Sequence, residues 1–237
     1  MKSNQKTRLV VLSGAGISAE SGIKTFRDND GLWENYNIEE VATPEAWKKN
    51  PELVTRFYNE RRKQVMGCQP NKAHFILKEL EEDFDVTIVT QNIDDLHERA
   101  GSSKVLHLHG QIRMAKSSGP NSESQYYPIQ GDTLTINDKC TEGYVLRPHV
   151  VWFGEEVPLM DDAAVLVQHA DILLVVGTSL NVYPAAGLAS IARQNIPKFI
   201  IDPSANSIKV ESSFILIPCV ASEGMEQIKE ILKSDLY

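Results

Sequence analysis

Four short apolar segments rich in β-branched residues constrain the fold of this chain more than any other feature. Each is continuous rather than alternating, which is typical of a parallel strand buried on both faces. Each is followed by a turn or helix-start signal, and helical stretches such as 72–82 and 161–170 lie between them. This alternation predicts an α/β fold with a Rossmann-like, doubly wound parallel sheet. The four segments are Leu9 to Leu12, Val86 to Val89, Ile172 to Val176 and Lys198 to Ile201.

Two stretches interrupt the alternation and predict a second, smaller module. One is helix-rich, and the other is polar, rich in Ser, Asn, Gly and Gln, with a β-like piece at Thr133 to Ile136. The predicted ranges are 1–33, 72–110 and 147–237 for the Rossmann-like domain, and 34–71 with 111–146 for the small module.

Composition limits the partners and the compartment. The 32 acidic and 24 basic residues give a net charge of -8, which argues against a nucleic-acid partner. Cys68, Cys140 and Cys219 are scattered, so no disulfide framework or C-x-x-C pair is expected. The chain shows no signal-peptide pattern, no apolar run long enough for a membrane span and no heptad run. We expect a cytoplasmic protein without membrane attachment, and a monomer is favoured.

A glycine-rich segment follows the first predicted strand and fits G-x-G-x-x-A. In this reading Gly14 permits the tight turn, Gly16 lets the backbone approach a pyrophosphate, and Ala19 packs the helix on the sheet. The amides at the helix start supply an anion site. A plain strand-to-helix turn is the alternative, and the motif alone does not decide between them.

The segment after this motif departs from the usual dehydrogenase pattern. Residues 22–33 read as a loop rather than a second strand ending in an acidic residue, which disfavours a conventional dehydrogenase. Phe26 and Arg27 fall in this loop, where they are suited to shield a reactive sugar and hold a phosphate. The alternative is a surface arginine beside a core phenylalanine.

Polar side chains follow the second predicted strand. Gln91, Asn92 and Asp94 are suited to hold a carboxamide and a ribose, although Asn92 or Asp94 serves equally well as a helix cap. His107 and His109 come next at strand-like i, i+2 spacing, which places both on one side. A general base needs only one histidine, and a metal site needs a further ligand that the neighbouring sequence does not offer.

Together these motifs resemble the ordered motif set of the sirtuin family over nearly the whole chain. The resemblance is carried by Gly14-Ala15-Gly16-Ile17-Ser18, Gly22-Ile23, Phe26-Arg27, Gln91-Asn92-Ile93-Asp94, His109-Gly110, Arg147-Pro148, Val151-Trp152-Phe153-Gly154-Glu155 and Gly177-Thr178-Ser179.

The resemblance implies an NAD-dependent protein-lysine deacylase that forms nicotinamide, O-acyl-ADP-ribose and free lysine. His109 is the implied catalytic base, with Asn92 as the second catalytic residue, and acyl-lysine proteins are the implied substrates. Val151, Phe153, Gly154 and Glu155 are implied to pair with the substrate backbone as an added strand. Family members usually have asparagine where Asp202 stands, which weakens its implied ribose contact. The implied NAD-binding residues are Gly14, Ala15, Gly16, Ser18, Gly22, Phe26, Arg27, Gln91, Asn92, Ile93, Asp94, Gly177, Thr178, Ser179, Asp202, Pro203, Ser204 and Ala221.

One arginine falls within an apolar stripe of a predicted helix that starts at Asn50-Pro51-Glu52. On its own Arg61 suggests snorkelling or pairing with an acid. The Tyr58-x-x-Arg61 pair, with the small Ala42 upstream, is similar to class III sirtuins, in which the pair binds the distal carboxylate of succinyl- or malonyl-lysine. The resemblance therefore implies desuccinylase and demalonylase activity beside deacetylation, and a guanidinium fork suits a carboxylate.

Most sirtuins hold a structural zinc with two cysteine pairs after the catalytic histidine, and this chain lacks them. Cys140 stands alone in that region, and one cysteine cannot build a four-coordinate site. We predict no metal, with the 111–146 region held by packing and hydrogen bonds. Its expected core residues are Tyr126, Tyr127, Ile129, Leu134, Ile136 and Tyr144.

Two other functions use the same cleft. A non-catalytic NAD or ADP-ribose sensor would bind without releasing nicotinamide, and the presence of His109 and Asn92 argues against it. An ADP-ribosyltransferase would place ADP-ribose on protein instead of on an acyl group.

Overall fold

The structure is a computed structural model that describes residues 6–24, 32–33 and 36–235. The strands are β1 (Arg8–Ser13), β2 (Leu32–Trp33), β3 (Tyr36–Asn37), β4 (Asp85–Thr90), β5 (Val105–His107), β6 (Gly110–Ser117), β7 (Tyr126–Pro128), β8 (Leu146–Val150), β9 (Ile172–Val176), β10 (Lys198–Ile201) and β11 (Phe214–Ile217). The helices are α1 (Gly16–Ala19), α2 (Ile38–Val41), α3 (Pro44–Lys49), α4 (Pro51–Gly67), α5 (Lys72–Leu80), α6 (Leu96–Arg99), α7 (Met160–Gln168) and α8 (Ala221–Asp235), with 3-10 turns at Ala185–Ile191 and Ala205–Ser207.

A parallel sheet with the strand order β11-β10-β9-β1-β4-β5 forms the larger part of the described chain. The predicted α/β class and the four predicted strands are confirmed, and these strands occupy the four central positions. The sequence reading missed β5 and β11, which lie at the two edges. Strand β5 is only three residues long, and β11, although continuously apolar in sequence, leaves Ile215 half exposed at the sheet edge.

Helices cover both faces of this sheet, as its apolar strands require. Leu9 and Val11 of β1 pack with α5 and α8, whereas Val10 and Leu12 pack with α7 and the first 3-10 turn. Alternate side chains of one strand therefore enter two separate cores, which explains why the strands are apolar without interruption. None of the described helices combines the length and apolar character of a membrane span.

The smaller module joins α4 to a three-stranded antiparallel sheet in the order β7-β6-β8. Helix α4 begins as predicted, with the Asn50 side chain accepting from the Leu53 amide at 3.0 Å. Phe57 of α4 shares a buried cluster with Ile112 of β6 and Val150 of β8. Strand β8, Leu146–Val150, therefore packs with the small sheet. The domain ranges stay a prediction.

The segment predicted as β-like, Thr133 to Ile136, is not a strand. The Asn59 side chain on α4 donates to the Leu134 carbonyl (2.8 Å) and accepts from the Leu134 amide (3.0 Å), so a side chain satisfies the backbone groups that a strand partner would take. Arg62, also on α4 and fully buried, donates to the carbonyls of Ile112 (2.7 Å) and Asp132 (3.0 Å). Two α4 side chains therefore tie the polar insertion to the helical one.

The core predicted for the 111–146 region is only partly correct. Ile129 and Leu134 are buried together with Cys140, but Tyr126 and Tyr144 are exposed and Tyr127 and Ile136 only half-buried. Tyr126 instead stacks its ring on His149 at 3.9 Å between centroids. An aromatic ring with a hydroxyl group is stable at a surface that keeps the hydroxyl wet, so residue type alone does not place it inside.

Candidate active site

A cavity of about 530 Å³ lies at the carboxyl ends of β1, β4, β9 and β10, where open α/β sheets bind ligands. It continues towards the small module, so residues of both parts form its walls. The predicted site residues that line it are Gly14, Ala15, Gly16, Gln91, Asn92, Ile93, Asp94, His109, Gly177, Thr178, Ser179, Asp202, Pro203, Ala221, Ala42, Tyr58, Arg61, Val151, Phe153, Gly154 and Glu155.

Two glycine loops form the floor of the cavity by direct backbone contact. The Gly16 amide donates to the Gly177 carbonyl at 2.8 Å, and a Cβ at Gly16 would lie 2.7 Å from the Gly177 Cα. Gly177 has a φ of +64°, and a Cβ there would lie 2.2 Å from the Ile17 nitrogen. A Cβ at Gly14 would likewise meet Thr178 at 2.7 Å. The structure thus gives a second reason for the glycines, because the neighbouring loop already fills the space of their side chains.

Helix α1 differs from the expected helix of a dinucleotide motif. It is only one turn long, and Ala19 is exposed, so the expected packing of Ala19 on the sheet is wrong. Ile17 makes that contact from the buried face. Ser18 is buried behind the cavity, donates to Asp94 (3.0 Å) and accepts from Asn92 (3.2 Å). Ser18 therefore positions wall residues instead of lining the wall.

Other predicted contacts fall outside the cavity wall or outside the described residues. Gly22, with a φ of +91°, ends the turn after α1 and does not line the cavity, and neither does Ser204. The Ser204 amide donates to Asp202 at 2.8 Å, so the side chain of Asp202 orders this turn. Phe26 and Arg27 lie outside the described residues.

The loop after β4 brings three polar side chains to the wall. The Asn92 side-chain amide donates to the Gly14 carbonyl at 3.2 Å, and Gln91 donates to Thr178 at 3.4 Å. Asp94 accepts from the Leu96 amide at 3.2 Å, but the N-cap of α6 is Asp95, which makes no side-chain cap hydrogen bond. Burial raises the pKa of Asp94, while its hydrogen bonds from Leu96 and Ser18 oppose that rise. The loop connects the glycine floor to the start of α6.

His109 presents one ring nitrogen to the cavity in a defined tautomer. Its Nδ1 lies 3.0 Å from the Gln91 carbonyl, which can only accept, so Nδ1 carries the proton. In the neutral ring Nε2 is then an acceptor. Burial lowers the pKa of His109, which favours the neutral ring at pH 7. The arrangement supplies a general base.

His107 does not share the site, which removes the metal alternative for the histidine pair. Strand β5 ends at His107, and His109 lies in the following turn, so strand alternation does not place both on one side as predicted. The two ring nitrogens of His107 face Asn92 and Glu98. Within the described residues no group of three or more His, Cys, Asp or Glu is placed to hold a metal ion.

Helix α4 contributes one tyrosine and one arginine to the cavity wall. Tyr58 and Arg61 of α4 are both buried, as the wheel pattern predicted for this stripe. The Tyr58 hydroxyl accepts from Trp152 Nε1 at 3.1 Å, and Arg61 donates to Gln64 at 3.0 Å. Burial raises the pKa of Tyr58, so the hydroxyl stays neutral. A cation in an apolar wall is suited to an anionic ligand group.

The segment expected to add a substrate strand is a turn. The Val151 amide donates to the His109 carbonyl and the Phe153 amide to the Ala42 carbonyl, both at 3.0 Å. The Glu155 carboxylate turns inward, accepting from Arg147 (2.7 Å) and from the Trp152 amide (2.8 Å). Several amides of this segment are thus already bonded within the chain, which ties the segment to His109 and Ala42.

Sequence reasoning missed several apolar wall residues. Val182, Tyr183 and Pro184 line the cavity just after the Gly177 loop, and Tyr183 is 77% exposed. The signal that could have predicted this wall is Tyr183-Pro184, an aromatic residue beside proline in the loop that follows β9. The other missed residues include Ile23, Val65, Val150, Trp152, Val157 and Val220.

The fold and the cavity define a nucleotide-binding α/β protein, and the comparisons name its family. The Sir2 family model matches residues 14–184, and the chain belongs to this family. A relative from Bacteroides thetaiotaomicron, named NAD-dependent protein deacylase, is 47% identical over 228 residues, covering 94% of this chain and 97% of its own. A Helicobacter pylori protein of the same name is 48% identical over 224 residues, covering 94% and 95%.

Solved structures of the family agree with this fold. A Sir2 homologue in complex with NAD is 40% identical, with a TM-score of 0.83, over 98% of this chain and 91% of that one. A Sir2 protein with a deacetylated p53 peptide and 3′-O-acetyl ADP ribose is 30% identical, with a TM-score of 0.77, over 96% and 94%.

The glycine floor generates a prediction with an internal control. Replacing Gly16 by Ala should lower the free energy of unfolding by about 2 kcal/mol or more, because the new Cβ meets the Gly177 backbone. Gly67, at the end of α4, has no atom within 4 Å of a built Cβ, so Gly67→Ala should be neutral or stabilise by about 0.5–1 kcal/mol. Urea unfolding measures the free energy of unfolding of both variants. Equal changes in the two variants would contradict the close contact between Gly16 and Gly177.

Proposed function

We propose that this chain is an NAD-dependent protein-lysine deacylase that forms nicotinamide, O-acyl-ADP-ribose and free lysine. The observation that carries the proposal is one cavity that joins the glycine floor, His109 and the Tyr58–Arg61 wall. Relatives of nearly the same length that bear the name deacylase support the same function.

The residues of the cavity fit NAD. Its volume lies within the range of cofactor sites, and its floor has glycine at the positions where a side chain would collide with the neighbouring loop. Gly14 to Gly16 are assigned to the diphosphate, and Phe26 and Arg27 to the nicotinamide ribose. Gly177 to Ser179, Asp202, Pro203 and Ala221 are assigned to the adenosine part, and Gln91 to Asp94 to the nicotinamide ribose and carboxamide. When bound, NAD would supply the ADP-ribosyl group: its bond to nicotinamide would break, the acyl group would pass to the ribose, and one water molecule would be consumed as lysine is released.

His109 acts as the base of this reaction. Its Nε2 takes a proton from a ribose hydroxyl, while the Nδ1–H bond to Gln91 holds the ring in place. Because the pKa of His109 is lowered, activity should rise with pH through a value below about 6.5 and then level off with respect to this group. Asn92, held by Gly14 and Ser18, positions the ribose beside it.

Arg61 and Tyr58 extend the proposal to acidic acyl groups. A succinyl or malonyl chain that reaches this wall would place its carboxylate at a buried guanidinium and a neutral phenol hydroxyl. Ala42 leaves room for the chain at the same wall. We therefore propose desuccinylation and demalonylation beside deacetylation.

We propose that the 111–146 region needs no zinc. The support is the hydrogen bonding of Asn59 and Arg62 to this region and the small apolar cluster around Cys140. Burial lowers the pKa of Arg62 to about 10, so it remains charged at neutral pH and keeps its donors. The Asn59 and Arg62 side chains of α4 then stabilise this region, as zinc ligands do in most sirtuins.

We further propose that the protein works in the cytoplasm as a monomer on acyl-lysine proteins, without a nucleic-acid partner. A net charge of -8 favours encounter with lysine-rich substrates and disfavours polyanions. The unpaired Cys68, Cys140 and Cys219 suit a reducing compartment.

Incubation with NAD and an acetyl-lysine peptide tests the proposed reaction. Mass spectrometry should find O-acetyl-ADP-ribose, nicotinamide and free lysine in equal amounts. His109→Asn should lower kcat at least about 100-fold, since general-base catalysis contributes this much. His169→Asn, which changes an exposed histidine at the end of α7, is the control and should leave kcat unchanged. ADP-ribosylated peptide would favour the transferase instead, and binding without nicotinamide release would favour a sensor.

The acyl wall predicts a selective variant. Arg61→Met should lower kcat/KM for a succinyl-lysine peptide about 100-fold or more, because charge-assisted hydrogen bonds to the distal carboxylate are lost. Deacetylation should change less than about threefold. Arg56→Met removes an exposed arginine from the same helix and should change neither activity. Equal losses of both activities with Arg61→Met would refute the carboxylate site.

A further inference from the structure

His107 is a buried histidine next to the base that the proposed reaction leaves without a role. Its side chain is only 3% exposed. Nδ1 lies 2.9 Å from the Asn92 carbonyl oxygen, and Nε2 lies 2.6 Å from a Glu98 carboxylate oxygen. Both distances are those of hydrogen bonds, so both ring nitrogens have defined partners.

Counting protons on these two bonds fixes the charge of the ring. A carbonyl oxygen only accepts, so Nδ1 carries a hydrogen, and an ionised carboxylate only accepts, so Nε2 carries one too. A neutral imidazole has a single N–H and cannot serve both partners. With Glu98 ionised, the geometry requires His107 to be an imidazolium.

The charged groups around His107 are consistent with this state. Glu98 on α6 and the carboxyl of Asp94 in the loop after β4 both attract a positive ring. His97 on α6 and His149 on β8 also face it, but burial lowers the pKa of each, so both are neutral at pH 7. The Glu98 and Asp94 contacts outweigh burial and raise the pKa of His107. The bond from His107 lowers the pKa of Glu98, which supports its ionised state.

The two histidines of the H-x-H segment hold consecutive carbonyls of one loop. His109 donates to the Gln91 carbonyl and His107 to the next carbonyl, that of Asn92. Asn92 and Gln91 both reach the cavity wall from this loop. Gln91 and Asn92 are consecutive, so movement of the Asn92 peptide would also displace the Gln91 carbonyl that holds His109.

We propose that His107, kept as an imidazolium by Glu98, is a positioning residue that fixes the Gln91–Asn92 backbone and so the geometry of His109. This role rests on the proposed deacylase function. Loss of the His107 charge at higher pH leaves one N–H for two acceptors, so one of the two bonds is lost. The reaction should then show an alkaline limb from His107 beside the acidic limb from His109.

Two variants separate the bonds from the charge. His107→Phe removes both bonds and should lower kcat at least about tenfold, with a smaller change in KM for NAD, because small displacements of a base are costly. Glu98→Gln offers an amide N–H to Nε2 of a neutral ring, whose Nδ1–H still serves Asn92. This variant should lose the alkaline limb of the pH profile. Glu82→Gln, which changes an exposed carboxylate, is the matched control and should keep the wild-type profile.

Nitrogen NMR of the histidine rings tests the charge without any turnover. His107 should be protonated on both nitrogens at pH 6.5 and titrate above that value, whereas His109 should titrate below it. Glu98→Gln should lower the pKa of His107. A neutral His107 at pH 6.5, or the same alkaline limb in wild type and Glu98→Gln, would overturn the proposal even if His107→Phe fails to fold. Absence of deacylation in the wild type would instead refute the proposed function. The NMR titration would then still decide whether Glu98 keeps His107 charged.

Discussion

The site depends on backbone contact between the loops that end neighbouring strands of the parallel sheet. The Gly14 amide donates to the Val176 carbonyl at 3.0 Å and the Gly177 amide to the Ile201 carbonyl at 2.9 Å. The Gln91 amide donates to the Ser13 carbonyl at 2.9 Å. These bonds continue the sheet pairing past the strand ends, so the first residues of the loops after β1, β4 and β9 are each bonded to a neighbouring strand. Side chains would separate the loops, which is why glycine occupies the closest approach.

Buried His107 at the end of β5 and half-buried His109 in the following turn differ in protonation state. Burial alone favours a neutral ring, and His109 follows this rule because its one partner is a backbone carbonyl. His107 departs from it because Glu98 supplies a negative charge at 2.6 Å. The two histidines of the H-x-H segment therefore differ in role: His109 is a neutral base and His107 is a cation. The difference comes from their partners, a backbone carbonyl for His109 and the Glu98 carboxylate for His107.

Helix α4 of the small module carries Tyr58 and Arg61 of the cavity wall. Hydrogen bonds from α4 to the polar insertion hold this helix in place. Helix α4 presents Tyr58 and Arg61 to the cavity, while Asn59 and Arg62 face the polar insertion and bond its backbone. Adjacent residues on one helix thus line the cavity and bond the polar insertion. The 151–155 turn then links this module to His109 through the Val151 amide.

Much of this could be predicted from sequence, and the misses have physical causes. Central strands such as β9 can be predicted because burial on both faces selects only apolar residues. Arg61 could be singled out because it is a charged residue in an apolar helix stripe. The Leu134 segment has a strand-like pattern, but the Asn59 side chain takes the place of a strand partner, and the sequence does not show that contact. Strand β11 was missed although it is a continuous apolar run, Phe214–Ile217. The separate states of His107 and His109 depend on Glu98, whose proximity no local spacing reveals.

A crystal structure of the protein with ADP-ribose tests the central claim most directly. The ligand is expected to lie across the carboxyl ends of β1, β4, β9 and β10, with its diphosphate at Gly14 to Gly16. The ribose hydroxyls should lie within hydrogen-bond reach of His109 Nε2, at roughly 3 Å. Binding elsewhere, for instance between α5 and α8, or a ribose out of reach of His109, would contradict it.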